Sequence, residues 1–349
     1  MTTLVQKVSK GELGTRKLTD SKYLGLAMVP PEAEWFANIL NANTRRAYRN
    51  DVAEFMGFIG ITKPEEFRGV TRAHVIAWRD DVVGREYIKQ KDSASPLFDS
   101  QEPEVEVKKT SAATVRRKMS ALSSLFEYLC ERNAVTHNPV KGVKRPNESS
   151  NEGKTPALSD AQARHLLNAP DAESLKGKRD RAMIAVLLFH AMRREEVVKL
   201  KVKDLQMRQG VLHFKITGKR DKIRYLPVNA EALRLIDEYL ELAGHGLEKG
   251  GALFRPVRNN TTGTLKKHIH PDSLYQIVVA YAEEVGLRKY VEGRWVHLAR
   301  ATAITNALEH GADIAKVQEW AGHATIATTR LYDRRKSKPE DSPTFRVRY

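Results

Sequence analysis

The sequence predicts a mainly α-helical protein with a small antiparallel β-sheet, split into two domains. Three observations lead there. The chain has 349 residues, longer than one ordinary domain. Apolar residues recur at three- and four-residue steps through most of it, and alternate in only one short region. A stretch rich in Gly, Pro, Ser and charge, KGVKRPNESSNEGKTP at 141–156, interrupts the pattern with the composition of a linker. The expected division is an N-terminal arm at 1–32, a helical domain at 33–146, a linker at 147–156, a larger helical domain carrying the sheet at 157–336, and a tail at 337–349.

In the first domain, NTRRAYRNDVAEFMGFIG places Tyr48, Val52, Phe55, Met56 and Ile59 on one helical stripe. Arg45, Arg46, Arg49 and Asp51 lie elsewhere on that wheel. Thr71 is a candidate cap for a second helix, whose buried stripe is Val75, Trp78 and Val82. Residues 91–108, KDSASPLFDSQEPEVEVK, hold two prolines among polar residues and read as a loop. A third helix carries the seam Val115, Met119, Leu122, Phe126 and Leu129, with Arg116, Arg117 and Lys118 off it. Cys130, the single cysteine, sits beside that seam as a packed, unreactive thiol.

The second domain opens at Ser159, with Gln162 three residues on, in the spacing of a capping box. The apolar helix AMIAVLLF at 182–189 runs into HAMRREEVVKL. VLHFKIT alternates Leu212, Phe214 and Ile216 on one face, GKRDK turns, and IRYLPV returns, which reads as a β-hairpin. HLARATAITNALEHG ends at Gly311, and ADIAKVQEWAGH carries Ile314, Val317, Trp320 and Ala321 on one stripe, with Gly322 as its stop.

Composition narrows the function. Lys and Arg number 59 against 43 Asp and Glu, a formal net charge of +16, and the isoelectric point is near 9.7. Such an excess favours polyanions such as nucleic acid through counterion release, and it is equally what a soluble protein that happens to be basic shows. The longest apolar run, Ala182 to Phe189, is far short of the roughly 18 residues of a membrane span. The opening MTTLVQKVSKGELGTRKL lacks a continuous apolar stretch, so no secretory leader is expected and the cytoplasm is the default location. One cysteine excludes an intrachain disulfide and a four-cysteine zinc module. His268 and His270 alternate with Ile269 but have no carboxylate or cysteine at ligand spacing, so no metal is expected. Neither a GxxxxGK[ST] loop nor a Rossmann glycine fingerprint is present, and no cofactor is implied.

Arg193 follows directly on an apolar helix, a costly place for a guanidinium unless an anion meets it. Glu196, three residues on, shares its face and can hold it. His297 and Arg300 stand at i and i+3 on one helix face, a proton carrier beside a fork for two oxygens. Lys219 and Lys222 lie in the hairpin turn. His323 follows the helix-stopping Gly322, and Tyr332 sits among Arg330, Arg334 and Arg335, whose charges would favour phenolate. Each of these alone is also what an ordinary ion pair, basic turn or packed tyrosine looks like. Their weight comes from occurring together.

In order along the chain they resemble the tyrosine recombinases of the phage-integrase, Xer and Cre type. AMRREEVVKLKVKDL resembles the family's first box, ITGKRDKIRYLPV its lysine-bearing hairpin, and residues 297–335 its long C-terminal box. Two details depart: His190-Ala191-Met192 stands where Thr-Gly-Leu is common, and Ala301 replaces a frequent histidine. The segment 33–146, with the SAATVRRKMSALSSLFEYL helix and the NPVKGVKRP exit, resembles the family's helical core-binding, SAM-like domain.

The resemblance implies a site-specific DNA recombinase working through a 3′-phosphotyrosine. Tyr332 would be the nucleophile, Arg193 and Arg300 the phosphate clamp, His297 the proton acceptor, His323 a further donor, Lys219 the acid for the departing 5′ oxygen, and Glu196 a support. It implies duplex recombination sites as partners and a homotetramer on two of them, and is compatible with accessory DNA-bending proteins. Arg45, Arg46, Arg49, Arg116, Arg117, Lys118 and Lys222 are the candidate DNA contacts. FRVRY in the tail alternates Phe345, Val347 and Tyr349 with arginine, as a strand adding to a neighbour or as a disordered basic end. Two rivals remain: a DNA-binding accessory protein without catalysis, which would not require Tyr332, His297 and Lys219 together, and a type IB topoisomerase, which the helical core-binding segment disfavours.

Overall fold

The computed structural model of the chain describes residues 19, 21–22, 26, 28–90, 105–147, 156–218, 222–258, 263, 265–287 and 295–335. It is mainly helical with small antiparallel sheets, and it divides into two compact units, Met1–Ser149 and Ser150–Tyr349.

The first unit is built from α1 (Pro31–Asn38), α2 (Ala42–Ile59), α3 (Arg72–Gly84), β1 (Glu86–Gln90), β2 (Val105–Lys109) and α4 (Ala112–Glu131). Caps define the helix ends. Asn41 Oδ1 accepts the Thr44 amide at the start of α2, Gly60 closes it in the left-handed region, and Ser111 accepts the Thr114 amide at the start of α4. Thr71 is the N-cap of α3, and its backbone N–H donates to His74 Nδ1 at 3.1 Å. The predicted stripes form the core: Val75, Trp78 and Val82 of α3 and Val115, Met119, Leu122, Phe126 and Leu129 of α4 are all buried. Phe55 meets Trp78 edge-on at 5.1 Å, and Phe67 meets Phe126 at 5.7 Å. Truncating a residue such as Phe126 to alanine costs about 3–5 kcal/mol in a core of this kind.

One expectation for this unit needs correction. The stretch 91–108 is not loop throughout: Val105–Lys109 is a strand, antiparallel to Glu86–Gln90 with Glu86 opposite Lys109. Its alternating VEVKK satisfies a partner distant in sequence, which local composition does not reveal. Asp51, off the apolar stripe of α2, is buried. It is 3 % exposed beneath Arg117 and Lys118 of α4, and Lys118 also pairs with Glu54. Burial pushes the Asp51 carboxyl up, against the opposing pull of Arg117 and Lys118. The Cys130 thiol is likewise raised by burial and by Glu127, in keeping with an unreactive thiol.

The second unit contains α5 (Asp160–Asn168), α6 (Leu175–His190), α7 (Arg194–Lys199), β3 (Leu205–Arg208), β4 (Val211–Thr217), β5 (Ile223–Pro227), α8 (Ala230–Ala243), α9 (Pro271–Glu284), α10 (Trp295–Glu309), α11 (Ile314–Ala321) and α12 (Ile326–Arg330). The capping box at α5 is reciprocal: Gln162 N donates to Ser159 Oγ and Ser159 N to Gln162 Oε1. The second half of α6, from Ala182 to Phe189, is apolar all round where the helix packs against α8 and α10. The sheet is three-stranded, ordered β3-β4-β5, with Phe214, Ile216 and Leu226 facing the core. β3 is an addition to the expected hairpin. Its turn to β4 is Gln209-Gly210, with φ of +48° and +77°, a left-handed pair without the usual Asn-Gly or Asp-Gly signal.

Candidate active site

Four segments supply the candidate side chains: the α6–α7 junction, β5, α10, and the run from the end of α11 to just past α12. At the junction, Ala191 turns the chain in the left-handed region at φ +47°. It stands where the resemblance expects glycine, and the conformation costs a non-glycine residue roughly 1–2 kcal/mol. The turn makes Arg193 the N-cap of α7, and the Arg193 backbone N–H donates to Glu196 Oε2 at 2.8 Å. Arg193 Nη1 donates to Glu196 Oε1 at 3.1 Å, and its Nη2 to the Gly322 carbonyl at 2.9 Å. The pairing of Arg193 with Glu196 is the one the sequence suggested.

Glu196 is 7 % exposed and holds a second arginine as well. Arg224 of β5 forks onto both its oxygens at 2.9 and 2.8 Å. Burial would raise the Glu196 carboxyl, but Arg224 and Arg193 outweigh it and hold it down at about 2. Sequence reasoning missed Arg224. The signal was its register: it alternates with exposed Ile223 and Tyr225 on the face of buried Leu226, and a charge on a core-facing strand position needs a buried partner.

Arg300 lies 3 % exposed inside α10. Its Nη1 donates to the Ala191 carbonyl and its Nη2 to the Ala321 carbonyl at 2.6 Å, which leaves three of the five guanidinium N–H donors beyond those two bonds. Burial first, then repulsion from Arg193, brings its pKa down to about 10. His297, one turn earlier on α10, is exposed. Its Nε2 lies 3.2 Å from Tyr332 Oη. The His323 ring stacks on Tyr332 with centroids 5.8 Å apart and planes 17° from parallel. Thr329 Oγ1 meets His323 Nδ1 at 2.9 Å, and Thr305 Oγ1 donates to the Tyr332 carbonyl at 3.1 Å. Neither threonine was singled out from the sequence. Burial, followed by repulsion from Arg300 and Arg193, brings His323 down to about 4, so it is neutral near pH 7.

Tyr332 is 8 % exposed. Against the expectation of a phenolate favoured by neighbouring cations, its pKa is raised. Burial outweighs the attraction of Arg300 and Arg193, neither of them adjacent to it in sequence. Arg335 instead pairs with Asp333 at 2.7 Å. Lys219 lies outside the described residues. Lys222 is exposed at the foot of the hairpin, where its carbonyl accepts the Gly218 amide at 2.7 Å.

The other DNA-contact candidates differ among themselves. Arg46 is exposed. Arg45 Nε donates to the Ile39 carbonyl at 2.8 Å, Arg49 lies 5.8 Å over the Phe36 ring, and Arg116 Nη1 reaches the Pro146 carbonyl at 3.4 Å. Arg117 and Lys118 are engaged with Asp51 and Glu54. Among the described residues no cluster of three His, Cys, Asp or Glu side chains could hold a metal ion. His268 and His270 are occupied by the Val198 carbonyl and the Asp272 amide. No described helix is long and apolar enough to cross a membrane.

A phenol with a histidine at its hydroxyl, two arginines and a second histidine around it, on a helical scaffold with a small sheet, is the equipment of the tyrosine recombinase class. The model of the phage integrase family matches residues 156–338. The tyrosine recombinase XerD of Listeria innocua serovar 6a is 30% identical over 296 residues, covering 84% of this chain and 88% of the relative. The tyrosine recombinase XerC of Herpetosiphon aurantiacus is 30% identical over 297 residues, covering 84% and 85%. The chain belongs to the phage integrase family and is a tyrosine recombinase. Solved structures share its fold. The XerH site-specific recombinase in a post-cleavage complex with palindromic difH aligns with a TM-score of 0.61 at 22% identity, covering 82% of this chain and 75% of that one. A lambda integrase dimer bound to a COC′ core site aligns with a TM-score of 0.61 at 12% identity, covering 93% and 81%.

Proposed function

We propose that this chain is a site-specific recombinase that cuts and rejoins duplex DNA through a 3′-phosphotyrosine on Tyr332, for integration, excision or resolution of a DNA element. The observation that carries the reading is the 3.2 Å approach of Tyr332 Oη to His297 Nε2 inside a ring of cations. The phenolic oxygen attacks phosphorus, the bond to the 5′ oxygen breaks, and the ester's energy is kept in the new phosphotyrosine bond for rejoining. His297 takes the phenolic proton. Arg193 and Arg300 neutralise the non-bridging oxygens as charge gathers on them, an effect worth about 10³–10⁵ in rate for a well-placed arginine in phosphoryl transfer. His323, neutral, offers a further hydrogen bond, and Lys219 protonates the departing 5′ oxygen.

On this reading residues 33–146 form the core-binding domain, 157–336 the catalytic domain, and exposed cations such as Arg46 and Lys222 meet phosphates. Exchange of strands between two sites calls for a homotetramer, acting on DNA in the cytoplasm, with residues 337–349 reaching a neighbouring protomer and accessory DNA-bending proteins as optional helpers.

The test is incubation with DNA flanking the native locus, followed by denaturing electrophoresis and sequencing of junctions. Wild-type protein gives an SDS-stable protein–DNA band, and Tyr332→Phe binds the same DNA without forming one. A band of wild-type yield from Y332F would refute the nucleophile. Affinity falls steeply between about 50 and 200 mM salt; a flat response would refute a phosphate-dominated interface.

A further inference from the structure

Glu196 accepts four hydrogen bonds, two on each oxygen. Arg193 N and Arg224 Nη2 meet Oε2, and Arg193 Nη1 and Arg224 Nη1 meet Oε1. Four is the full lone-pair capacity of a carboxylate, so the plane and direction of this one are set jointly by two arginines. Only one of them belongs to the reaction described above. The other comes from β5, the strand that follows the Lys219 turn, and its side chain is 17% exposed. Its surroundings are shaped to it. A Cβ built on Gly322 would lie 3.2 Å from Arg224 Cζ and Nη1, and φ there is +66°, so the close approach and the backbone both call for glycine. The carbonyl of the same Gly322 receives Arg193 Nη2 at 2.9 Å. Arg224 therefore touches both anchors of the Arg193 guanidinium: the carboxylate directly, and the glycine by packing.

We propose that Arg224 is a positioning residue for DNA cleavage, orienting Glu196 and Gly322 so that Arg193 is held ready for the phosphate. It does not itself meet the substrate. Each of its Nη groups directs one N–H onto Glu196, and its Nε is buried without a hydrogen-bond partner. The fork is what matters. A lysine supplies the same charge but cannot grip both oxygens in one plane. The inference rests on the recombinase reading, and its tests separate the two.

The experiment compares single-turnover formation of the covalent adduct by wild type, R224K, R224Q, E196Q and E196Q/R224Q, using the native-flank duplex on which wild type forms its adduct. Affinity is measured in parallel on the same DNA. R224Q is expected to bind within about threefold of wild type and to cleave about 10–100-fold more slowly, the scale of a small misplacement of a reacting group. R224K should fall between the two. Because Arg224 acts through Glu196, the double variant should be no more than about threefold slower than E196Q. Cleavage by R224Q at the wild-type rate, or losses that multiply in the double variant, would overturn the proposal. Should R224Q not fold, R224K decides, and a wild-type rate in it is the contrary result. A crystal structure of R224K gives a readout independent of activity: the Arg193 Nη1 to Glu196 Oε1 distance, 3.1 Å here, should open beyond hydrogen-bond reach. If it stays unchanged the proposal fails. If the wild-type protein forms no adduct, the recombinase reading fails instead, and the distance still decides the role of Arg224.

Discussion

Tyr332 Oη and His297 Nε2 lie 3.2 Å apart, although 35 positions separate the two residues and one ring is exposed while the other is 8 % exposed. Burial favours the protonated phenol, so on the proposed mechanism attack requires the proton to leave as the bond to phosphorus forms. The imidazole nitrogen is the group at hand to receive it. His297→Gln is expected to keep DNA affinity and to lower the rate of adduct formation by about 10²-fold or more. Burst-phase quantification of the adduct checks this, and an unchanged rate would remove His297 from the proton path.

Thr329 Oγ1 sits 2.9 Å from His323 Nδ1, and Thr329 has no exposed surface. A hydroxyl that donates to Nδ1 leaves the proton of the neutral ring on Nε2, as a hydrogen bond to phosphate requires. Thr329→Val is expected to slow adduct formation up to about tenfold, with Thr329→Ser restoring most of it, since a hydrogen bond between neutral groups contributes about 0.5–1.5 kcal/mol. Equal rates for the valine and serine variants would mean that the contact only packs.

His190 is 1 % exposed, and its Nε2 accepts the Asn229 amide at 3.0 Å. Burial brings its pKa down to about 4 from 6.5. Between those values the unfolded chain binds a proton that the folded chain refuses, so stability is full above pH 6.5 and declines as pH falls toward 4, by up to about 3 kcal/mol. Urea unfolding at pH 7.5 and 4.5 tests the slope. His190→Gln should be less stable at neutral pH yet lose less on acidification, and an equal acid loss would exclude His190 as a source.

At the start of α6, a Cβ on Gly177 would fall 1.8 Å from the Asp171 carbonyl oxygen and 2.7 Å from its carbon. Both are backbone atoms, so the loop and the helix must separate. Gly177→Ala is expected to lower the stability of the second unit by at least about 2 kcal/mol. Ser174→Ala, which removes the cap on the Gly177 amide and the Ser174 hydrogen bond to the Asp171 carboxylate, should cost about 1 kcal/mol. Differential scanning calorimetry of the pair checks the order, and a milder effect from Gly177→Ala would contradict it.

The candidate DNA contacts of the first unit should separate by what they already touch. Exposed Arg46 is expected, on change to alanine, to weaken binding to all sequences and reduce the salt slope by about one. Lys118 is engaged with Glu54 and Asp51, so Lys118→Ala should lower stability and leave the slope nearly intact. A loss of slope from Lys118→Ala equal to that from Arg46→Ala would reverse the assignment.

What the sequence made legible follows the range of the interaction. Helical stripes such as Val115 to Leu129 are repeated every turn, so they can be read locally and are buried as expected. The site residues could be assembled because they fall in ordered boxes, although no single pair was persuasive alone. Contacts made across the sequence escaped. Val105–Lys109 has a partner strand on the far side of a long connection, and β3 joins β4 through a Gln-Gly turn with weak chemistry of its own. Arg224 has no local partner to mark it, because Glu196 lies 28 positions away and only the folded hairpin brings the two together. The Tyr332 proton was misjudged because charges adjacent in sequence were weighed, while removal from water decides its pKa.

On the proposed mechanism, a nucleophile stored beside its own chain's arginines makes each polypeptide self-sufficient for the cutting step. Blends of two crippled variants, one without the phenol and one without Arg193, would then stay barren, because no molecule in the tube owns a whole set of tools. Rescue in such a blend would instead require that the tyrosine be lent across to a sister subunit.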